Sequence, residues 1–263
     1  AGKWIKANAE AIYETSPSPY LAFDWGDCTV KGNDLYVHLF NWPESGELIL
    51  PALKNKVKKA AFLCCGTKIK FKQLNDRITL QLEGKPKDTM IPVLKIALDG
   101  KAEASSQALT IDGQHPTKLE AIFAKTKGAS HEEVRWMEKF GEWKHSDNIA
   151  KWKTKEDRGI WQINVLKTGR YNVRVDYACS LKTDDSEWVI NSESDSITFV
   201  AIDSGMRERS KAAPRKRARY QDVELGPLTF DKTGIQTISI QSRHTPKNDG
   251  IYIRRITIEP YEL

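Results

Sequence analysis

From Leu21 onward the chain alternates apolar and polar positions with a period of two. Leu35, Val37 and Leu39 interleave with Tyr36, His38 and Phe40, and Ile69 and Phe71 interleave with Lys68, Lys70 and Lys72. Ile78, Leu80 and Leu82 follow, then Leu94, Ile96 and Leu98. Successive side chains of a strand point to opposite faces, so each run predicts a strand with one buried face. Turn formers separate the runs: Lys31-Gly32-Asn33-Asp34, Glu44-Ser45-Gly46, Asn75-Asp76 and Gly84-Lys85-Pro86. Short strands at this spacing predict an antiparallel sandwich over residues 21–100. Lys101–Gln107 (KAEASSQ) is small, polar and aperiodic, as a linker would be.

A second alternating block follows over residues 108–263. Its opening is ambiguous: Lys118–Lys125 and His131–Phe140 fit short helical turns, and Ala108–Ile111 fits a lead-in strand. Trp161, Ile163 and Val165 then alternate, as do Tyr171, Val173, Val175 and Tyr177, then Ile197, Phe199 and Ala201, then Ile238 and Ile240. In the last run, Ile251, Ile253, Ile256 and Ile258, the odd step from Ile253 to Ile256 predicts a β-bulge. Only the first residues keep a helical period. Lys3–Tyr13 is apolar at Trp4, Ile5, Ala9 and Ile12, which predicts an amphipathic helix of about three turns that Ser16-Pro17-Ser18-Pro19 ends. A helix this short is marginal alone and must pack on something. The fold class is therefore all-β: two antiparallel, jelly-roll-like β-sandwich domains behind a short N-terminal α-helix, divided at residues 1–20, 21–100, 101–107 and 108–263.

Hydrophobic residues make up 40% of the chain, which excludes wholesale disorder. The longest uncharged apolar run, Ala60–Gly66, falls far short of the ~18 residues of a membrane span, so no membrane partner is expected. No cationic segment followed by an apolar one opens the sequence; a signal for export would lie upstream of Ala1. The formal charge of +6 comes from one place. Arg207–Arg219 (RERSKAAPRKRAR) holds seven Lys or Arg and one Glu, and the rest carries 34 basic and 34 acidic residues. Nucleic-acid binders spread cations over a face that tracks phosphates, so this segment reads as a solvated loop, with polyanion or nucleic-acid binding as the alternative.

The sequence contains no G-x-S-x-G elbow, P-loop, dinucleotide fingerprint or H-E-x-x-H. Its five histidines are scattered, and His38 reads as structural or exposed. Cys28, Cys64, Cys65 and Cys179 form no C-x-x-C pair, and the apolar run around Cys64 and Cys65 predicts that at least one of them is buried. No metal, cofactor or catalytic residue is nominated.

A resemblance carries the reading further. Gly2–Thr15 (GKWIKANAEAIYET) resembles the G-x-W-L-x-x-N-G-E-A-I-Y-x-T segment of α-L-fucosidases, the retaining glycoside hydrolases of family 29, with Ala9 in place of the usual Gly. Leu35–Leu53 (LYVHLFNWPESGELILPAL) is similar to that family's C-terminal sandwich, with Trp42-Pro43 its most specific feature. The similarity covers about Gly2–Asp99. It implies that an upstream barrel carries the catalytic Asp and Glu, that no carboxylate of this chain is catalytic, and that the parent is periplasmic or secreted. A retaining mechanism needs two carboxyls about 5 Å apart, and barrel strand ends supply them. Glu10 then caps, pairs or faces the barrel, while Trp4, Ile5 and Ile12 form a stripe that covers a barrel strand, docks on the sandwich, pairs with a second copy or frays.

The second block is similar in pattern to jelly rolls of the carbohydrate-binding-module type, through the Trp161–Val165 strand, Arg170–Ala178 (RYNVRVDYA) and Gly250–Pro260 (GIYIRRITIEP). Such modules stack a sugar on an exposed aromatic with polar groups nearby. Trp188 follows the polar stretch Lys182–Glu187, which makes it the platform candidate, with Asn248, Asp249 and Tyr252 as polar contacts. Burial of Trp188 at a strand start is the competing reading; Trp143, Trp152 and Trp161 read as packing residues. No acidic cluster nominates a calcium site. The expected partners are the parent's barrel and a fucosylated glycan, and a purely structural spacer is the remaining alternative.

Overall fold

The computed structural model describes residues 2–86, 90–139, 141–207 and 218–261. It divides into two compact units, residues 1–115 and 116–263. Almost all regular structure is antiparallel sheet, so both units are β-sandwiches.

In the first unit, β1 (Ser16–Pro17), β2 (Gly26–Lys31), β3 (Asp34–Leu39), β8 (Val93–Leu98) and β5 (Val57–Phe62) form one sheet in that order. β4 (Glu47–Pro51), β7 (Arg77–Gln81) and β6 (Lys70–Gln73) form the other, and β9 (Leu109–Ile111) follows. The period-two residues meet between the sheets: Leu35, Val37 and Leu39 pack with Leu48, Leu50, Ile78, Leu80, Leu94, Ile96 and Leu98 in one buried core. Residues 101–107 run beside residues 52–54, where the Lys54 and Ser105 amides donate to the Glu103 and Ala52 carbonyls.

β3 is buried on both faces, although its alternate residues are Tyr36 and His38. The N-terminal segment covers them. Its helix α1 is shorter than the periodicity predicts, spanning Gly2–Ala7, with a 3₁₀ turn at Ala9–Ala11. Asn8 ends it: its side-chain amide donates to the Trp4 carbonyl at 2.9 Å, the acceptor its own backbone amide uses at 3.0 Å, so local bonding competes with helix propagation. Trp4 packs with Leu63 against Ala11, Tyr36 and Val93 and donates its indole N–H to the Ile91 carbonyl at 2.8 Å. Ile5 and Ile12 are exposed rather than part of the buried stripe. Thr29 Oγ1 donates to the Ala11 carbonyl at 2.7 Å and lies 3.2 Å from His38 Nε2; burial lowers the pKa of that imidazole. Glu10 pairs, accepting from Lys95 Nζ at 2.7 Å and from the Tyr36 hydroxyl at 2.9 Å.

In the second unit, β12 (Ser130–Lys139), β13 (Glu142–Ala150), β20 (Tyr252–Pro260), β15 (Gly169–Ala178) and β18 (Gln221–Phe230) form one sheet in that order, and β10 (Thr117–Glu120) shares an edge of β20 with β13. β11 (Lys125–Lys127), β14 (Arg158–Val165), β19 (Gly234–Ser242), β16 (Ser186–Asn191) and β17 (Ser196–Ala201) form the other. Trp161, Ile163, Tyr171, Val173, Val175, Ile238, Ile240, Ile256 and Ile258 are buried, as their alternation predicts. The helical expectation for His131–Phe140 is corrected: residues 130–139 are a strand, paired antiparallel with β13 as a hairpin whose register shifts between Met137 and Lys139. At Lys118–Lys125 a single 3₁₀ turn, Ala121–Phe123, stands between two strands. Cys64 and Cys65 are also corrected, since both lie exposed in a turn, whereas Cys28 and Cys179 are buried. Most of the basic run, residues 208–217, and the side chain of Trp143 lie outside the described residues.

Lys95 and Tyr36 hold Glu10 below the usual carboxylate range. A carboxyl lowered in this way stabilises the fold above its unfolded value, and the contribution is lost as pH falls through its folded value. Hydrogen-exchange protection factors for residues 2–13 are therefore high at pH 7 and fall below about pH 4. In Glu10→Gln, protection at pH 7 is lower and this pH dependence disappears; equal protection of the wild type at pH 7 and pH 3 would contradict the pairing.

Candidate functional site

The first sheet of the second unit presents a polar face away from the core. On β15, Tyr171, Val173 and Val175 turn inward, which puts Asn172, Arg174 and Asp176 on the other side. The predicted bulge lies opposite Asp176. Asp176 pairs with Arg255 and Tyr177 with Ile253, so Arg254 is the extra residue of β20. A bulge re-aims side chains, and here two consecutive arginines converge on one carboxylate. Arg254 Nε donates to Asp176 Oδ2 at 2.9 Å with Nη2 bonding the same oxygen, and Arg255 Nη2 stands 3.1 Å from it. Arg255 Nη1 reaches Glu120 Oε1 at 3.4 Å.

Asp176 is only 2% exposed, and its Oδ1 has no hydrogen-bond partner among the described residues. Burial pushes this carboxyl up, and the Arg254 and Arg255 charges oppose the shift. Isolating a carboxylate from water costs several kcal/mol, which close cations and their hydrogen bonds offset here. The arginines are held in turn. The Arg254 guanidinium lies 4.3 Å from the Tyr220 ring centroid, and the Tyr220 hydroxyl donates to Asn148 Oδ1 at 2.9 Å. The Asn148 amide donates to the Ser146 and Glu132 carbonyls at 2.9 and 3.2 Å. On the next rung, Arg174 joins Asp222 and Glu224, each at 3.2 Å.

A cleft of about 240 Å³ opens beside this network. Glu120, Ala121 and Ile122 form one wall, His145, Ser146 and Asp147 another, and Arg254 with Arg255 complete it. Ile122 is 60% exposed and offers an apolar contact. His145 also lines a neighbouring depression with Glu133, Arg135 and Lys144. Two guanidiniums face two ion-paired carboxylates and Asp147, so the charges nearly balance. Fixed donors and acceptors around one apolar side chain suit a neutral polyhydroxyl ligand better than a polyanion.

The residues nominated from sequence do not form one site. Trp188 is fully buried, 4.9 Å from Trp152 in a T-shaped pair, with its indole N–H donating to Ser186 Oγ, so it offers no face to a sugar. Trp152 is likewise buried and donates to the Ile251 carbonyl at 2.8 Å. Tyr252 is buried with Val134, Ala150, Ala178 and Met206, and its hydroxyl donates to Glu132 Oε2 at 3.3 Å. Asn248 and Asp249 are exposed, but with Gly250 they form three successive positive-φ residues that seat Trp152. The Asp249 carbonyl accepts from the Trp152 amide at 3.0 Å, and a Cβ on Gly250 would stand 2.8 Å from Trp152 Cδ1. The Asn248 amide donates to the Lys182 carbonyl at 3.0 Å. The loop thus serves packing.

The sequence profile of the delta endotoxin family matches residues 133–262, just under half of the chain. A comparison with curated protein sequences found no match. Among solved structures, 98% of this chain aligns with 44% of the α-L-fucosidase from Vibrio sp. strain EJY3, at TM-score 0.58 and 18% identity. The likeness is one of fold, and the chain spans less than half the length of that protein. α-L-Fucosidase isoenzyme 1 from Paenibacillus thiaminolyticus aligns over 37% of this chain and 25% of its own, at 26% identity and TM-score 0.34. The carbohydrate-binding module CBM6cm-2 of Cellvibrio mixtus lichenase 5A aligns over 55% of this chain and 97% of its own, at 11% identity and TM-score 0.40. These last two scores are too low to add to the argument.

Replacing Trp188 empties part of a core. Denaturant unfolding of Trp188→Ala is expected to show a loss of about 3–5 kcal/mol. An unchanged midpoint would mean that the ring is exposed after all.

Proposed function

We propose that this chain is a non-catalytic accessory region of an α-L-fucosidase-like glycosidase, whose second unit holds a neutral glycan in the cleft beside the β20 bulge. The fucosidase part of the reading is supported by the two motifs at Gly2–Thr15 and Leu35–Leu53 and by the fold likeness over 98% of the chain. In such a parent the first unit buttresses the catalytic barrel. The glycan part is carried by one observation, a cleft in which Arg254 and Arg255 are fixed by a buried carboxylate and stand opposite His145, Ser146 and Asp147. Donors fixed before the ligand arrives do not lose side-chain freedom on binding.

Glu120 and Asp147 both line the cleft, which raises the question of hydrolysis. A retaining glycosidase needs one carboxyl kept protonated by apolar surroundings and a second as nucleophile. Glu120 meets the Arg255 guanidinium instead, and the same cleft holds a second arginine. The arrangement suits hydroxyl recognition.

Pure chain is expected to leave an aryl α-L-fucoside unhydrolysed while binding a neutral fucosylated oligosaccharide in calorimetry. Arg255→Ala removes a charged donor, so affinity falls about tenfold or more. Turnover that Glu120→Gln or Asp147→Asn abolishes would overturn the non-catalytic reading. Undiminished binding by Arg255→Ala would overturn the assignment of the site.

A further inference from the structure

Cys64 and Cys65 occupy the turn between β5 and β6. Both thiols are exposed, and their sulfurs lie 3.5 Å apart, with Cys64 Sγ donating to Cys65 Sγ. Cys65 Sγ also lies 3.1 Å from Thr67 Oγ1. Gly66 follows at φ +69°, and the Gly66 and Phe62 amides close the turn on the Phe62 and Thr67 carbonyls, each at 2.9 Å. Neither thiol fills a core, and both lie outside the cleft beside the β20 bulge.

We propose that the Leu63–Thr67 turn is a thiol-exchange site, at which Cys65 attacks a low-molecular-weight organic disulfide and Cys64 resolves the adduct. The Cys65 thiolate attacks one sulfur of the small disulfide, forms a mixed disulfide and expels one small thiolate. Cys64 then loses its proton and attacks Cys65 Sγ, forming the Cys64–Cys65 bond and expelling the second small thiolate. Both thiolates take up the protons released. The protein is oxidised by two electrons, and the small disulfide is reduced to two thiols.

The roles follow from the surroundings. The Thr67 hydroxyl and backbone amide hold the Cys65 thiol below its ordinary value, which raises its thiolate fraction, while burial and the neighbouring sulfur push Cys64 up. Adjacent Cα atoms stand about 3.8 Å apart, shorter than the ~4.4–6.8 Å that relaxed disulfides span, so the ring is strained and easily reduced. The site is therefore reversible. Leu63, immediately before the pair, packs with Trp4 in the apolar patch that holds the N-terminal segment, so the ring closes one residue from that contact.

The test treats the fully reduced chain with excess oxidised glutathione and maps the products by peptide mass spectrometry. In the wild type, the peptide containing both residues is expected to lose two hydrogens without retaining glutathione, and mild thiol to reverse the change. Cys64→Ser is expected to accumulate one glutathione on Cys65, and Cys65→Ser to react at least several-fold more slowly. The buried Cys28 and Cys179 serve as internal controls, and circular dichroism confirms that both variants fold. Stable glutathionylation of the wild type would overturn the resolving role of Cys64. Equal rates for the two variants would overturn the assignment of Cys65 as attacking thiol, and a wild type that keeps both thiols free would overturn the site.

Discussion

A carboxylate with almost no access to water must be met by positive charge, and at Asp176 that demand organises the polar face of the second unit. One residue more on β20 than on β15 supplies two guanidiniums where a regular ladder would supply one. Arg254 and Arg255 are thereby fixed on Asp176, with Tyr220 on Arg254 and the cleft residue Glu120 on Arg255. What the arginines present to the cleft is a set of immobile donors whose charge is already answered. The same pairing makes the site expensive to dismantle, because removing one partner of a buried ion pair costs about 3–5 kcal/mol. The orphaned Oδ1 of Asp176 shows that the network does not use all its acceptor capacity.

The first unit obeys a related constraint with apolar matter. A sheet buried on both faces needs a cover, and β3 carries Tyr36 and His38 on the face opposite the sandwich core. The N-terminal segment supplies that cover with Trp4 and Ala11, while Glu10 satisfies Lys95 and the Tyr36 hydroxyl at its edge. Of the roles the sequence allows Glu10, the structure shows pairing on the sandwich itself.

Much of the architecture was legible because alternation is a local signal. Leu35, Val37 and Leu39, or Tyr171, Val173 and Val175, declare their inner face within five residues. The bulge could be read as well, since the step from Ile253 to Ile256 breaks the period where β20 gains its extra residue. What escaped depends on distant partners. Residues 130–139 carry no strict alternation, and pairing with β13 makes them a strand. The first helix loses its second half to a side-chain bond of Asn8 that no periodicity reveals. For Trp188 the sequence offers both burial at a strand start and exposure after a polar stretch; burial holds, and its partner Trp152 lies in another part of the chain. The cleft gathers Glu120, His145 and Arg255 from three strands, with Glu120 and Arg255 separated by 135 positions. Two consecutive arginines at a broken period, opposite an acid on the polar phase of β15, were the available trace of it.

Because the cleft's arginines are neutralised from within, the glycan binding proposed for it rests on hydrogen bonds and apolar contact rather than on net charge. The direct test is the salt dependence of binding of a neutral fucosylated oligosaccharide to the intact chain. The account predicts a dissociation constant that changes less than about twofold between 50 and 500 mM sodium chloride, since screening acts on unpaired charges. A steep linear fall of log affinity with log salt, the signature of counterion release, would contradict it and transfer the binding role to the basic segment around residues 207–219.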